Sequence, residues 1–270
     1  MLASKAKEPP SDPVNLLQPR QYQHELFQEA RSRNVVVYLD TGSGKTLISV
    51  LLIKEKAHEL QQSDKKVTVF LAPRVSLVHQ QADVVRKHLD LRIGTYFGEM
   101  NVDCWNKVQW LKEWNSKDVM IMTPQILLDI LRHGFVKLGE INLLIFDEAH
   151  HCVKKNPYNC IMSEFYHDAR FKGSRPHILG MTASPVNVKN MNSMLQLQGT
   201  MKVLEQNLDS KVLSITDREE LDRYAPMPKL HVEKYSRASQ EAAAMVASGL
   251  DLELLKGHHV NPAALQRFLV

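Results

Sequence analysis

Five short, unbroken apolar runs restrict the fold of this chain more than any other feature. They are 34–39 (NVVVYL), 67–71 (VTVFL), 118–122 (DVMIM), 142–146 (NLLIF) and 177–181 (HILGM), with a weaker sixth at 91–97 (LRIGTYF). A strand with one wet face alternates polar and apolar residues, so runs this continuous suit strands buried on both faces. Between them lie segments of helical period, 46–60, 76–89, 125–132 and 191–208. Strands alternating with helices predict a parallel sheet covered on both sides, a three-layer α/β domain. With 270 residues, 44% of them hydrophobic, the chain can bury one large core and carry an extension.

The domain is expected to span 14–207. Residues 1–13 are polar and contain Pro9, Pro10 and Pro13, the composition of a disordered leader. Past 207 the pattern changes: 217–224 is highly charged, and Pro226 and Pro228 interrupt it. In this C-terminal extension, 208–270, one strand at 228–235 (PKLHVEKY) is expected outside the first sheet, followed by a helix at 238–255. A formal charge of +4 permits a nucleic-acid partner without requiring one. Three cysteines, Cys104, Cys152 and Cys160, cannot all pair and read as thiols of a reducing compartment. The N-terminus is charged where a secretory signal is apolar, and no run has the apolar length of a membrane span. The expectation is an intracellular protein, cytoplasmic or nuclear, with no membrane partner.

In an open parallel sheet the carboxyl ends of all strands share one edge, and ligands bind there. The residues that directly follow each run should therefore converge. They are Asp40 to Thr46 (DTGSGKT), Ala72-Pro73-Arg74, Thr123-Pro124-Gln125, Asp147-Glu148-Ala149-His150 and Thr182-Ala183-Ser184-Pro185. Five polar clusters at five strand ends exceed what loop composition requires.

The first cluster is the most specific. Gly42 and Gly44 let the backbone curl so that its N–H groups face one anion-sized hollow, joined by Thr41 and Ser43. A helix starting near Lys45 adds the positive end of its dipole. Lys45 would reach the β- and γ-phosphates of a nucleotide, and the Thr46 hydroxyl would ligate Mg²⁺. The strict phosphate-loop pattern asks for glycine five residues before Gly44, where this chain has Leu39. Asp147 and Glu148 form the second anchor: after an apolar strand, one carboxylate can hold Mg²⁺ while its neighbour orients an attacking water. Asp147 is the metal candidate and Glu148 the base. An acidic helix start is the bland alternative for that pair, and a chance glycine turn for the loop.

Other residues carry weaker signals. His150, His151, Cys152, Cys160 and His167 do not match zinc-ligand spacing, so His150 reads better as a polar link within the cleft. Gln23 follows Arg20 and Tyr22, and its amide has the donor and acceptor needed to read an adenine edge; a surface helix start is the bland alternative. Arg74 either contacts a phosphate or is simply solvated. Trp105, Trp110 and Trp114, at near-helical spacing, suit core packing better than base stacking.

In this order the clusters resemble the first RecA-like lobe of superfamily 2 helicases, a P-loop fold. PRQYQ stands for the Q motif, TGSGKT for motif I, APRVSLVHQQ for Ia, TPQ for Ic, DEAH for II and TAS for III, over 16–186. A finer resemblance, to the helicase region of Dicer-like proteins, rests on PRQYQHELFQEA, LDTGSGKTLISVLLIKE, LLIFDEAHHCVKKNPYNCIMSEFY and ILGMTASPV. Many Dicers carry Cys as the third letter of motif II, where this chain has Ala149.

The resemblance implies ATP and Mg²⁺ as cofactors, with Gln23 on adenine and Gly42 to Thr46 on the phosphates. It implies that Arg74 and Thr123, with Pro73 and Pro124 beside them, touch a nucleic-acid backbone. Thr182 and Ser184 would couple the ATP state to movement of the lobe. Double-stranded RNA is the implied partner. A second helicase lobe and ribonuclease III domains are expected in a full-length relative, because neither a Q-x-x-G-R-x-G-R motif nor a ribonuclease III signature occurs here. Two other readings stay open at this point: a nucleotide-, RNA- or partner-binding module without useful turnover, and a DNA helicase lobe. Backbone contacts do not separate RNA from DNA.

Overall fold

The computed structural model describes residues 19–61, 65–170, 172–183 and 194–214. All of them belong to the unit Met1–Pro226. The leader 1–13, Ser184, the strand expected at 228–235 and the helix expected at 238–255 lie outside the described residues.

Seven strands form one sheet: β1 (Val35–Tyr38), β2 (Val67–Leu71), β3 (Ile93–Tyr96), β4 (Val119–Met122), β5 (Ile141–Asp147), β6 (His177–Thr182) and β7 (Lys211–Ser214). Their order is β3-β4-β2-β5-β6-β1-β7. Every pairing is parallel. The helices are α1 (Gln21–Ser32), α2 (Lys45–Lys56), α3 (Val75–His88), α4 (Lys107–Ser116), α5 (Pro124–Arg132), α6 (Pro157–Ile161) and α7 (Met194–Asn207).

Burial along each strand follows from its place in the sheet. Central β5 and β2 are buried at every residue. Edge strands β3 and β7 are only partly buried, and both are four residues long, which limits the unpaired edge each presents. Because side chains alternate between the faces of a sheet, consecutive strand residues feed two separate cores. Val36, Val69, Leu144, Phe146 and Ile178 pack with Trp110, Trp114, Leu127, Tyr158 and Leu204 from α4, α5, α6 and α7. Val35, Val37, Phe70, Ile145 and Leu179 pack with Tyr22, Leu26, Ile48, Ile53 and Val78 from α1, α2 and α3. The three-layer α/β arrangement is as the sequence predicts.

One boundary needs correction. The sheet does not end at Asn207: β7 pairs with β1 in register Val35↔Lys211 to Tyr38↔Ser214. The run KVLS is too short and too exposed to show the apolar signature of a doubly buried strand. The tryptophans take the packing role, with Trp110 and Trp114 each 2% exposed and Trp105 against Trp110 at 5.1 Å between ring centroids.

At the amino-terminal edge of the sheet, Asp118 ties β4 to its neighbours. Its carboxylate accepts from the Arg92 backbone N–H (3.0 Å) and guanidinium (2.6 and 2.9 Å), and from Lys65 (3.1 Å). The Arg92 hydrogen bonds hold its pKa well below the usual carboxylate range, against the opposing effect of burial. A depressed folded-state pKa stabilises the fold above the unfolded value of about 4, and that contribution fades as pH falls through the folded value. Asp118→Asn should therefore lower the urea midpoint at pH 7, and the deficit should shrink steadily below about pH 4. A deficit that stays constant from neutral pH to acid would contradict this account.

Candidate nucleotide site

The chain leaves β1 through Leu39, whose N–H extends the β1–β6 ladder to the Thr182 carbonyl (3.2 Å). It then turns through Gly42 (φ +83°) and Gly44 (φ +78°), left-handed conformations that L side chains resist. Gly44 caps α2 without a side-chain hydrogen bond, and no acidic residue occupies the helix's first turn. The N–H groups of Lys45 and Thr46 are thus left for an anion, while that of Leu47 donates to the Gly44 carbonyl (3.0 Å). The Lys45 ammonium donates to the carbonyls of Leu39 (2.8 Å) and Asp40 (3.1 Å), which holds it at the mouth of the loop. Burial lowers its pKa, opposed by Glu148, Asp147 and Asp40, so Lys45 shares one electrostatic site with the β5 carboxylates.

The loop is braced from α1. The Tyr22 hydroxyl donates to the Ser43 carbonyl (2.7 Å), and Gln23 Nε2 donates to the same oxygen (3.0 Å). Gln23 Oε1 accepts from the Arg20 backbone N–H (2.9 Å). Both ends of the Gln23 amide are therefore engaged within the chain, and the side chain is buried. As placed, Gln23 fixes the phosphate loop, and any contact with a base would have to share those groups. Thr41 is exposed and Thr46 half-buried at the same loop.

The end of β5 carries the acidic pair. Asp147 is 7% exposed. Its Oδ1 accepts from the Glu148 N–H (3.1 Å) and its Oδ2 from Gln81 Nε2 (3.0 Å). Burial and then the Glu148 charge raise its pKa; Gln81, the Glu148 N–H and Lys45 oppose the rise. Glu148 stands at φ +49°, a conformation that costs about 1–3 kcal/mol in a non-glycine residue. Its carboxylate lies 3.3 Å from His150 Nδ1, and that hydrogen bond lowers its pKa. His150 Nδ1 is also 2.9 Å from the buried Thr182 Oγ1. The imidazole thus joins the ends of β5 and β6, the polar link expected of it.

A buried carboxylate destabilised by a second carboxylate suits a divalent cation, which would relieve both burdens. Asp147 and Thr46 supply the hard oxygen donors that Mg²⁺ prefers. The residues present fit that ion.

Pro73, Arg74, Thr123 and Pro124 line one cavity of about 450 Å³, together with His151 and Tyr158. The strand-end argument thus gathers all four into one place. Tyr158 forms its inner wall and is fully buried. Its hydroxyl is shared between the carbonyls of Leu71 (3.1 Å) and Asp147 (2.8 Å), so one side chain ties the strand leading to Pro73-Arg74 to the strand carrying the acidic pair. A further cavity, about 630 Å³, lies at the amino-terminal edge and is lined by Arg33, Asn34, Lys202, Asp209 and Lys211 among others. Two of its cations are already paired, Arg33 with Glu29 and Lys211 with Glu205, and no strand-end cluster reaches it.

Tyr22, Gln81 and Tyr158 are the site residues that sequence reading misses. Each makes its key contact across a long sequence separation, and none directly follows a strand. All three fall within the quoted motifs PRQYQ, APRVSLVHQQ and LLIFDEAHHCVKKNPYNCIMSEFY, but nothing local in those motifs says what their side chains touch.

Gly44→Ala tests the loop geometry. A Cβ there would collide with Gln23 Nε2, and a left-handed alanine costs about 1–2 kcal/mol. The expected result is a lower melting temperature together with weaker nucleotide binding, measured by thermal denaturation and fluorescent-nucleotide titration. Unchanged binding would mean that this loop does not hold the phosphates.

Residues 20–191 match a family model described as DEAD/DEAH box helicase. The chain is 47% identical over 223 residues to Endoribonuclease Dicer homolog 1 of Arabidopsis thaliana, covering 82% of this chain and 12% of that protein. It is 40% identical over 256 residues to Endoribonuclease Dicer homolog 2b of Oryza sativa subsp. japonica, covering 93% of this chain and 18% of that protein. It thus spans less than a fifth of the length of either relative. Among solved structures, the Pyrococcus furiosus Hef helicase domain superposes with a TM-score of 0.59 at 27% identity, covering 75% of this chain and 40% of that one. With its all-parallel RecA-like sheet and the loop and acidic pair at one edge of it, this chain belongs to the DEAD/DEAH box helicase family and is similar to the Dicer-like proteins within it.

Proposed function

We propose that this lobe binds ATP with magnesium and couples ATP hydrolysis to the handling of double-stranded RNA. The observation that carries the reading is one sheet edge. The Lys45 loop and the Asp147–Glu148 pair share an electrostatic site there, and Tyr158 joins the acidic strand to the cavity of Pro73, Arg74, Thr123 and Pro124. RNA is favoured over DNA because the Dicer relatives are named endoribonucleases. A second helicase lobe and ribonuclease III domains would complete the machine in a longer protein of this kind.

The chain's own residues divide the work. The loop from Thr41 to Thr46 wraps the phosphates with N–H groups other than that of Ser43, which donates to the Asp40 carbonyl, and the Lys45 ammonium adds a cation at the β- and γ-phosphates. Asp147 and Thr46 hold magnesium, which when bound offsets the negative charge of the phosphate oxygens. Glu148 is kept ionised by His150, so it can orient a water molecule and accept its proton. Asp147 is committed to the metal instead, its two oxygens held in place by the Glu148 N–H and by Gln81 Nε2. Thr182 receives the state of Glu148 through His150, and Ser184 follows two residues later in the same segment. Arg74 and Thr123 meet the RNA backbone.

Two substitutions separate these roles. Lys45→Ala should abolish nucleotide binding in calorimetric titration while leaving the circular-dichroism melt nearly unchanged, since the side chain contributes little to the core. Glu148→Gln should preserve binding and reduce phosphate release by about 10²–10⁴-fold, the range for loss of a general base. The release should respond to double-stranded RNA more than to double-stranded DNA of the same sequence. Equal stimulation by both duplexes would remove the RNA assignment.

A further inference from the structure

Gln81 lies in the second turn of α3, away from every strand end, yet it touches the centre of the site. It is 4% exposed. Its Nε2 donates to Asp147 Oδ2 at 3.0 Å. An ionised carboxylate only accepts hydrogen bonds, so the amide must present nitrogen to Asp147, and that choice fixes where its oxygen goes. Gln81 Oε1 is buried and has no hydrogen-bond partner among the described residues. Because the two ends of an amide are rigidly joined, this acceptor sits beside the candidate metal carboxylate.

A buried acceptor left unsatisfied costs about 1–3 kcal/mol. The hydrogen bond to Asp147 uses only the amide nitrogen, so the cost at the oxygen stays in place. The cost makes sense if a donor arrives with the ligand. Magnesium sheds water reluctantly and is usually held by one or two carboxylates and phosphates, keeping several waters. The hydrogens of those waters need acceptors, and a cation sharpens their acidity. Side chains that hold a metal-binding carboxylate tune the affinity of the metal itself.

We propose that Gln81 is an outer-sphere magnesium residue. Its Nε2 orients the Asp147 carboxylate, and its Oε1 accepts a hydrogen bond from the hydration shell of the cation. The proposal rests on the nucleotide-and-magnesium reading above and deepens it. It makes Gln81 a positioning residue, acting through Asp147 and through water without touching the reacting phosphate. It also assigns a purpose to the α3 segment that begins at Arg74: the helix whose start lines the nucleic-acid cavity carries, seven residues on, a hand on the metal.

The test compares Gln81→Met, which keeps length and bulk but loses both polar ends, with the unsubstituted 270-residue chain. A fluorescent non-hydrolysable ATP analogue is titrated into each protein in EDTA and again in millimolar Mg²⁺. The expected result is equal affinity in EDTA and a Mg²⁺-dependent gain about tenfold smaller or less in the variant, the scale on which such partners act. Thr68→Val is the stability control. It removes a buried hydrogen bond to Asn142 at the other end of the sheet (2.9 Å), and it should lower the melting temperature without changing the Mg²⁺ gain. If Mg²⁺ strengthens binding equally in Gln81→Met and the unsubstituted chain, the inference is wrong while the nucleotide reading stands. If the unsubstituted chain binds no nucleotide in either condition, both fall. Should Gln81→Met not fold, a crystal structure of the unsubstituted chain with Mg²⁺ and the analogue decides: an ordered water bridging Gln81 Oε1 and the cation supports the proposal, and an Oε1 with no such water overturns it.

Discussion

An all-parallel sheet sends the carboxyl end of every strand to one edge, and the rest of this molecule depends on that constraint. Parallel neighbours cannot be joined by tight hairpins, so each strand needs a long crossover, here mostly helical. The crossovers cover both faces of the sheet, and the strands must then be apolar on both faces. Polar residues are driven out of the strands and accumulate where strands stop. β5 illustrates the rule: six apolar or neutral residues from Ile141 to Phe146 are fully enclosed, and the seventh is Asp147. A carboxylate at that point is buried enough to be uncomfortable and close enough to the edge to meet a ligand.

Holding the acidic pair there requires strain and room. Glu148 is forced into a left-handed conformation, and the short turn Ala149–His151 folds directly back over β6. Gly180 makes that possible. A Cβ at Gly180 would sit 3.1 Å from Ala149 Cβ and 2.8 Å from a Val36 methyl. The glycine inside the run HILGM therefore admits the turn that aims Glu148, and it does so from the middle of a strand where glycine otherwise weakens the sheet. The backbone cost at Glu148 is met by the surrounding packing, since Ala149 and Cys152 are both fully buried.

Much of this was legible in the sequence, for physical reasons that also explain the gaps. Doubly buried strands write continuous apolar runs, so β1 to β6 could be read within a residue or two. The strand-end rule then named Lys45, Asp147, Arg74, Thr123 and Thr182 without knowledge of the strand order. β7 escaped because an edge strand of four half-exposed residues leaves no such trace. α1 was legible only as a surface helix start, because QYQHELFQEARS is dominated by polar residues and only Tyr22, Gln23, Leu26 and Ala30 face inward. Gln23 could be marked as a candidate, but its engagement with Ser43 and Arg20 could not, because a side chain's partners depend on which loop the fold brings to it. Gln81 and Tyr158 escaped for the same reason: their contacts to Asp147 span 66 and 11 residues and have no local signature.

Those contacts bear on how two ligands at one edge can influence each other. Coupling between sites requires a contiguous set of packed or hydrogen-bonded groups. From the Arg74 side to Asp147 there are two such routes: α3 through Gln81 to the carboxylate, and the Leu71 carbonyl through the Tyr158 hydroxyl to the Asp147 carbonyl. A third leaves Glu148 through His150 to Thr182. The first pins α3 to β5 and the second clamps the neighbouring strands β2 and β5, both in a close-packed interior, which deforms little. They favour a rigid connection, in which the cavity beside Arg74 and the Asp147 carboxylate keep their relative geometry. The third is different in kind. It depends on one imidazole nitrogen placed between a carboxylate and a hydroxyl, so any change in the charge or position of Glu148 must alter what His150 offers to Thr182. Around β5, the link to β6 is the one built to respond, and the links to α3 and β2 are the ones built to hold.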